Sequence, residues 1–77
     1  MNNARRKSID ALISNLQGLL PDAETLRDEE QEAYDNMPDG LKESEKGQQS
    51  EQAISELEDA ISSIESAIEA LENAKAE

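Results

Sequence analysis

Residues 53 to 73, AISELEDAISSIESAIEALEN, repeat one seven-residue pattern three times, as AISELED, AISSIES and AIEALEN. Each unit opens on Ala-Ile and places a Leu or Ile three residues after that isoleucine. Alternating steps of three and four put Ile54, Leu57, Ile61, Ile64, Ile68 and Leu71 on one stripe of a helix, because 3.6 residues complete a turn. An a/d seam of this kind packs knobs into the holes of a facing helix. Ala53, Ala60, Ala67 and Ala74 run beside it as a rail of small side chains along which another helix can come close.

The first half of the chain carries the same spacing less regularly. Ile9, Leu12, Leu16, Leu19, Ala23, Leu26, Ala33 and Met37 occupy one frame, broken at Glu30, with Ile13, Leu20 and Tyr34 widening the stripe. Pro21 removes a backbone donor and crowds the carbonyl of Gln17, at a cost of about 3 kcal/mol in a helix interior. The frame nevertheless continues unshifted past it, with Pro21 on the outer face and Gly18 softening the same turn, which favours one helix kinked near Pro21. The alternative is a fresh helix start at Pro21, with Asp22 and Glu24 at the positive end of the dipole.

Between the periodic segments, NMPDGLKES at residues 36–44 gathers the residues of turns. Ser44 suits an N-cap and Glu45 the first turn after it; Gly47 weakens that turn, so a later start with Ser50 as cap is the alternative. The organisation expected is a single domain over residues 1–77, with helix 1 over about 4–36, a turn over about 37–43 and helix 2 over about 44–75. Helices of about 30 residues are about 45 Å long at 1.5 Å per residue. Equal arms make an antiparallel αα-hairpin of two long helices the natural all-α fold.

With 77 residues the chain cannot bury a large core, and it has neither cysteine for a disulfide nor histidine for an ordinary zinc site. A stripe as wide as that of helix 1 exceeds what one neighbour covers. A homodimeric four-helix bundle is therefore expected, with a higher oligomer, a marginally stable monomeric hairpin or a heterologous partner helix as alternatives. Its expected oligomer core is Ile9, Leu12, Ile13, Leu16, Leu19 and Leu26 from helix 1 and Ile54, Leu57, Ile61, Ile64, Ile68 and Leu71 from helix 2.

Lacking His and Cys, the chain offers no imidazole base, thiol nucleophile or Glu-x-x-His metal motif. Ser50, Ser55, Ser62, Ser63 and Ser66 have only carboxylates as bases on their helix and read as solvent positions. Carboxylate pairs on open faces lack the burial that separates an acid from a base. No enzymatic activity, catalytic residue, cofactor or metal is expected. The stretch from Asp35 matches a calcium loop at Asp35, Asp39 and Gly40, but Met37 holds the third ligand position and Lys46 the twelfth, which favours an ordinary turn. Tyr34, the single aromatic residue, is expected to pack over the bundle end. Arg5, Arg6 and Lys7 approach the other end of the chain, where Glu72 and Glu77 are their expected partners in surface pairs contributing about 0–1 kcal/mol.

Charge is the feature that points outward. Nineteen acidic residues against seven basic ones give a net charge of −12, which repels nucleic acid phosphates and anionic lipids, so neither is an expected direct partner. No apolar run approaches the roughly 20 residues of a membrane span, and the basic start is followed by Asp10 in place of a signal-peptide core, so the cytoplasm is the expected location. Residues 22–35 hold seven carboxylates, Asp22, Glu24, Asp28, Glu29, Glu30, Glu32 and Asp35, against Arg27 alone. Glu51, Glu58, Glu65 and Glu72 recur every seven residues beside the second seam. Such charge keeps a bundle soluble and sets helix pairing. It also suits phosphate mimicry: B-DNA carries roughly 26 charges over 45 Å, and a dimer of this chain carries −24, twice −12.

Residues 26–74, LRDEEQEAYDNMPDGLKESEKGQQSEQAISELEDAISSIESAIEALENA, resemble small acidic helical-hairpin proteins of bacteriophages and prophages in the acidic run, the Asp-Asn-Met-Pro turn, the Leu41 and Ser44-Glu45 after it, and the second amphipathic helix. The resemblance implies a phage-associated setting and carries no catalytic residue with it. The function expected is a non-enzymatic inhibitor that blocks a basic surface on a host nucleic-acid-binding or defence protein. Asp28, Glu29, Glu32 and Asp35 are its first expected contacts, and Glu58, Glu65 and Glu72 its second. A structural bundle or adaptor that binds a partner helix is the alternative, and a sponge for small anionic ligands, gathered by Arg5, Arg6, Lys7 or Arg27, is a third class.

Overall fold

The computed structural model describes residues 1–77 as an all-helical hairpin measuring 58 × 16 × 12 Å. Helix α1 spans Asn3–Asp35, a single turn α2 spans Asp39–Lys42, and α3 spans Glu45–Ala76 and packs back along α1. Asn2 starts α1: its side-chain oxygen accepts the backbone N–H of Arg5 at 2.8 Å, satisfying one of the donors that a helix start leaves free. The helix then runs through Pro21 as one element, so a fresh start at that proline does not occur. Pro21 is exposed, which leaves its ring in solvent and off the seam.

Pro38 suits the reversal because its missing donor is not needed before α2, whose first bonds run from Leu41 and Lys42 back to the Pro38 carbonyl at 2.9 and 3.0 Å. Ser44 stands at the N-cap of α3, which excludes the later start at Ser50. The Ser44 hydroxyl does not accept a helical N–H; it donates to the Leu41 carbonyl and ties α3 to the turn before it.

On α3 the residues turned inward are Gly47, Ser50, Ile54, Leu57, Ile61, Ile64, Ile68 and Leu71, all buried or half-buried. Ile54 and Ile61 retain 7% and 8% of their surface and form the core with Ile13 of α1 at 7%. Ser50 corrects the solvent reading of the serines: it is only 4% exposed, and its hydroxyl donates to the Glu30 carboxylate at 2.8 Å. Gly47 is buried as well. A Cβ there would lie 2.6 Å from the Lys42 Cα and closer still to its carbonyl group, so the end of α2 crosses α3 at a place where only glycine fits.

Helix α1 is rotated relative to the frame expected for it. Its inner face is Ile9, Ile13, Leu16, Leu20, Ala23, Arg27, Glu30 and Tyr34, while Leu12, Leu19 and Leu26 remain 51%, 51% and 55% exposed. Both lines are apolar through their first halves, and the polar residues further along decide between them. Glu30, common to both lines, reaches Ser50, and the inner line adds the Tyr34 hydroxyl on Glu51, so the polar groups at the turn end have partners.

At the open end, the expected pairing of Arg5, Arg6 and Lys7 with Glu72 and Glu77 is replaced by other bonds. Arg6 Nε donates to the Lys75 carbonyl at 3.2 Å, which suits a cation at a helix C-terminus, and Lys75 Nζ pairs with Asp10 at 2.8 Å. No helix is long and apolar enough to cross a membrane.

Candidate functional site

The bonds between the helices define which rows share a flank. Asp10 meets Lys75 and Tyr34 meets Glu51 on one side of the seam, so the row Asp10, Gln17, Glu24, Gln31 of α1 runs beside the row Glu51, Glu58, Glu65, Glu72 of α3. A shallow groove of about 300 Å³ lies on this acidic flank, lined by Gln17, Leu20, Glu65, Ile68, Glu69 and Glu72. Its floor is apolar and its rim carries three carboxylates. Such a surface receives a cationic group with an aliphatic stem, as lysine or arginine presents.

Glu58, Glu65 and Glu72 are exposed along this flank, and seven residues of helix separate successive members by about 10.5 Å. Asp28 and Asp35 occupy the next row of α1 on the same side, whereas Glu32 falls on the far face of α1 and Glu29 beyond it towards the opposite flank. All four are exposed, but the fold gathers only Asp28 and Asp35 with the α3 row. Arg27 Nε binds Asp28 at 3.0 Å, reducing the free charge at that one position. Glu24 and Glu69 join the surface although neither was among the expected contacts; their heptad positions next to Gln17 and Glu65 were the signal for them.

A second depression, of about 570 Å³, sits at the turn end between Tyr34, Asp39, Lys42, Glu43, Gln48 and Glu51. Lys42 Nζ lies 5.5 Å from the centre of the Tyr34 ring, a cation–π distance. By accepting the Tyr34 hydroxyl, the Glu51 carboxylate holds the phenol above its ordinary pKa, with desolvation and the charges of Glu51 and Asp35 acting in the same direction. At the other end, the hydrogen bond and charge of Asp10 raise Lys75 in the same way.

The opposite flank differs in kind. Leu12, Leu19 and Leu26 form a ridge on α1, and on the same side of the seam α3 carries Ala53, Ala60, Ala67 and Ala74. Fold and surfaces together define a two-helix hairpin with one carboxylate-rich flank and one flank of leucine and alanine. Comparison with known proteins finds no matching family model, no matching curated protein and no matching solved structure.

Proposed function

We propose that the chain is a non-enzymatic interaction protein: a dimeric four-helix bundle that presents its acidic flanks to a basic surface on a nucleic-acid-binding or defence protein, in place of nucleic acid phosphates. The carrying observation is the ordered row Glu58, Glu65, Glu72, with Asp28 and Asp35 on the same side further towards the turn, all exposed. A dimer with twice the charge of −12 along 58 Å has about 2.4 Å of length per charge, close to the roughly 1.7 Å of B-DNA. The resemblance of residues 26–74 to phage hairpins directs the search for the target to bacterial host proteins in the cytoplasm. A second reading, an adaptor that takes a partner helix, draws on the exposed leucine ridge.

The test is affinity capture from bacterial lysate at low and high salt, beside a variant carrying Asp28→Asn, Asp35→Asn, Glu58→Gln, Glu65→Gln and Glu72→Gln. A nucleic-acid-binding protein recovered at low salt, lost at high salt and lost with the variant supports mimicry, provided the captured protein is also displaced by DNA or RNA. A partner kept by the variant and lost with Leu19→Glu moves the function to the adaptor reading.

A further inference from the structure

The leucine and alanine flank takes no part in the acidic site, and three facts bear on what covers it. The first is area. A compact protein of 8.5 kDa exposes about 4,650 Å², whereas this hairpin exposes 5443 Å². The surplus of roughly 800 Å² matches what one partner buries in a standard interface. The second is charge. Around Leu12 and Leu19 the outer neighbours are Ser8, Ala11, Asn15, Gly18 and Asp22, so this stretch carries one carboxylate where the other faces are crowded with them. A basic partner would be drawn to the acidic flank, while a second copy, also at −12, is repelled from it and meets least repulsion here.

The third is shape. The Glu30–Ser50 and Asp10–Lys75 bonds set the register of the hairpin and bring Leu19 level with residues 60–67. Ala60, Ser63, Ile64 and Ala67 there have the spacing of a four-residue hole, two small residues at its ends and a half-exposed isoleucine in its wall. Leu12 and Leu26 lie one heptad to either side, level with the holes that begin at Ala67 and Ala53. Ridge and rail thus share one period within a single chain.

We infer that the occupant is a second copy, related by a two-fold axis parallel to the long axis of the hairpin, so that the leucine ridge of each copy seats in the alanine rail of the other. Every helix then has antiparallel neighbours, and each ridge leucine meets a hole that begins and ends on alanine, with Glu56 the one charged member, in the hole opposite Leu26. Both acidic flanks stay outside. The inference deepens the dimeric reading above by naming its interface, and its test needs no target protein.

Sedimentation equilibrium of the full chain over micromolar concentrations is expected to give twice the 8.5 kDa chain mass. Leu19→Glu is expected to weaken the dimer by about 30-fold or more, as the central contact of an interface does, while Glu65→Gln on the acidic flank leaves it unchanged. Because Leu19→Glu can also lower the stability of the fold itself, a second measurement uses the absence of native cysteine. Leu19→Cys and Ala67→Cys chains, mixed and oxidised, are expected to form the mixed disulfide, and Leu19→Cys alone is not. A monomer at all concentrations, a complex of higher order, or a Leu19→Cys homodimer formed in place of the mixed species overturns the inference. None of these results alters the salt and charge dependence by which the acidic flank is judged.

Discussion

Gly47 and Gly18 place the same residue type in opposite circumstances on two helices. At Gly18 nothing lies within 4 Å of a built Cβ, so Gly18→Ala removes only backbone freedom and is expected to stabilise α1 by about 0.5–1 kcal/mol. At Gly47 the same methyl collides with the Lys42 backbone, which cannot swing aside as a side chain can. Gly47→Ala is expected to destabilise by about 1–3 kcal/mol, the range of an overpacked contact. Urea unfolding of the two variants checks both signs at once, and a gain from both would show that α2 does not hold its place over α3. The two perturbed titrations belong at this scale too. Tyr34 and Lys75 both hold their protons more tightly in the folded chain. Their contribution is fully present below the unfolded values, about 10 and 10.4, and is lost as pH rises through the higher folded values. Thermal stability is therefore expected to start falling only above about pH 10 through these groups, and Tyr34→Phe and Lys75→Met should each make that alkaline fall shallower. An unchanged alkaline limb in both variants would mean that neither end bond forms in solution.

Within α1 the exceptional residue is Pro21, which lies in a continuous helix yet cannot donate to the Gln17 carbonyl. Because its ring is exposed, Pro21→Ala restores the donor without disturbing the seam, and a gain of about 1–3 kcal/mol in stability is expected. Calorimetry checks it; a loss of stability would show that the shape imposed by the proline is needed for packing. The contrast with α3 explains what was legible in the sequence. The seam of α3 follows from its repeat because a helix with one apolar stripe has one way to face a neighbour, and Ile54, Ile61 and Ile68 lie where that stripe places them. Helix α1 has two candidate lines, and apolar spacing alone does not choose between Leu12, Leu19, Leu26 and Ile13, Leu20. Glu30 belongs to both lines and finds Ser50; the lines part at Tyr34, whose hydroxyl finds Glu51, a pairing between helices that only the folded register reveals. Part of that register was nonetheless readable: carrying the Ile54–Leu57 frame back one heptad lands on Gly47 and Ser50, the two residues whose burial the composition of the turn concealed. The acidic flank divides in the same manner. The period of Glu58, Glu65 and Glu72 fixes their common row, whereas the run from Asp28 to Asp35 winds around α1 and keeps only part of its charge on that side.

At the scale of the whole molecule, folding and the proposed recognition respond to salt with opposite signs. Each chain carries −12, and the proposed dimer brings two such charges within a bundle two hairpins wide, so self-repulsion opposes assembly. The repulsion is greatest near the turn, where Asp22 and Glu29 border Leu26 and Glu56 borders the alanine rail, and least near Leu12. Raising ionic strength shortens the Debye length from about 30 Å at 0.01 M to about 8 Å at 0.15 M, which screens these exposed charges while leaving apolar contacts intact. The dimer is therefore expected to tighten and its melting temperature to rise over that range. Neutralising Glu29 and Glu56 to Gln should reproduce much of the gain at low salt and leave less for added salt to supply. Binding to a basic partner runs the other way, because counterions compete for both surfaces, and it should weaken across the same titration. Sedimentation at several salt concentrations, paired with partner affinity measured in the same buffers, separates the two effects. If assembly and partner binding both weakened with salt, the copies would have to be held together by ion pairs, and the leucine ridge would not be the surface that joins them.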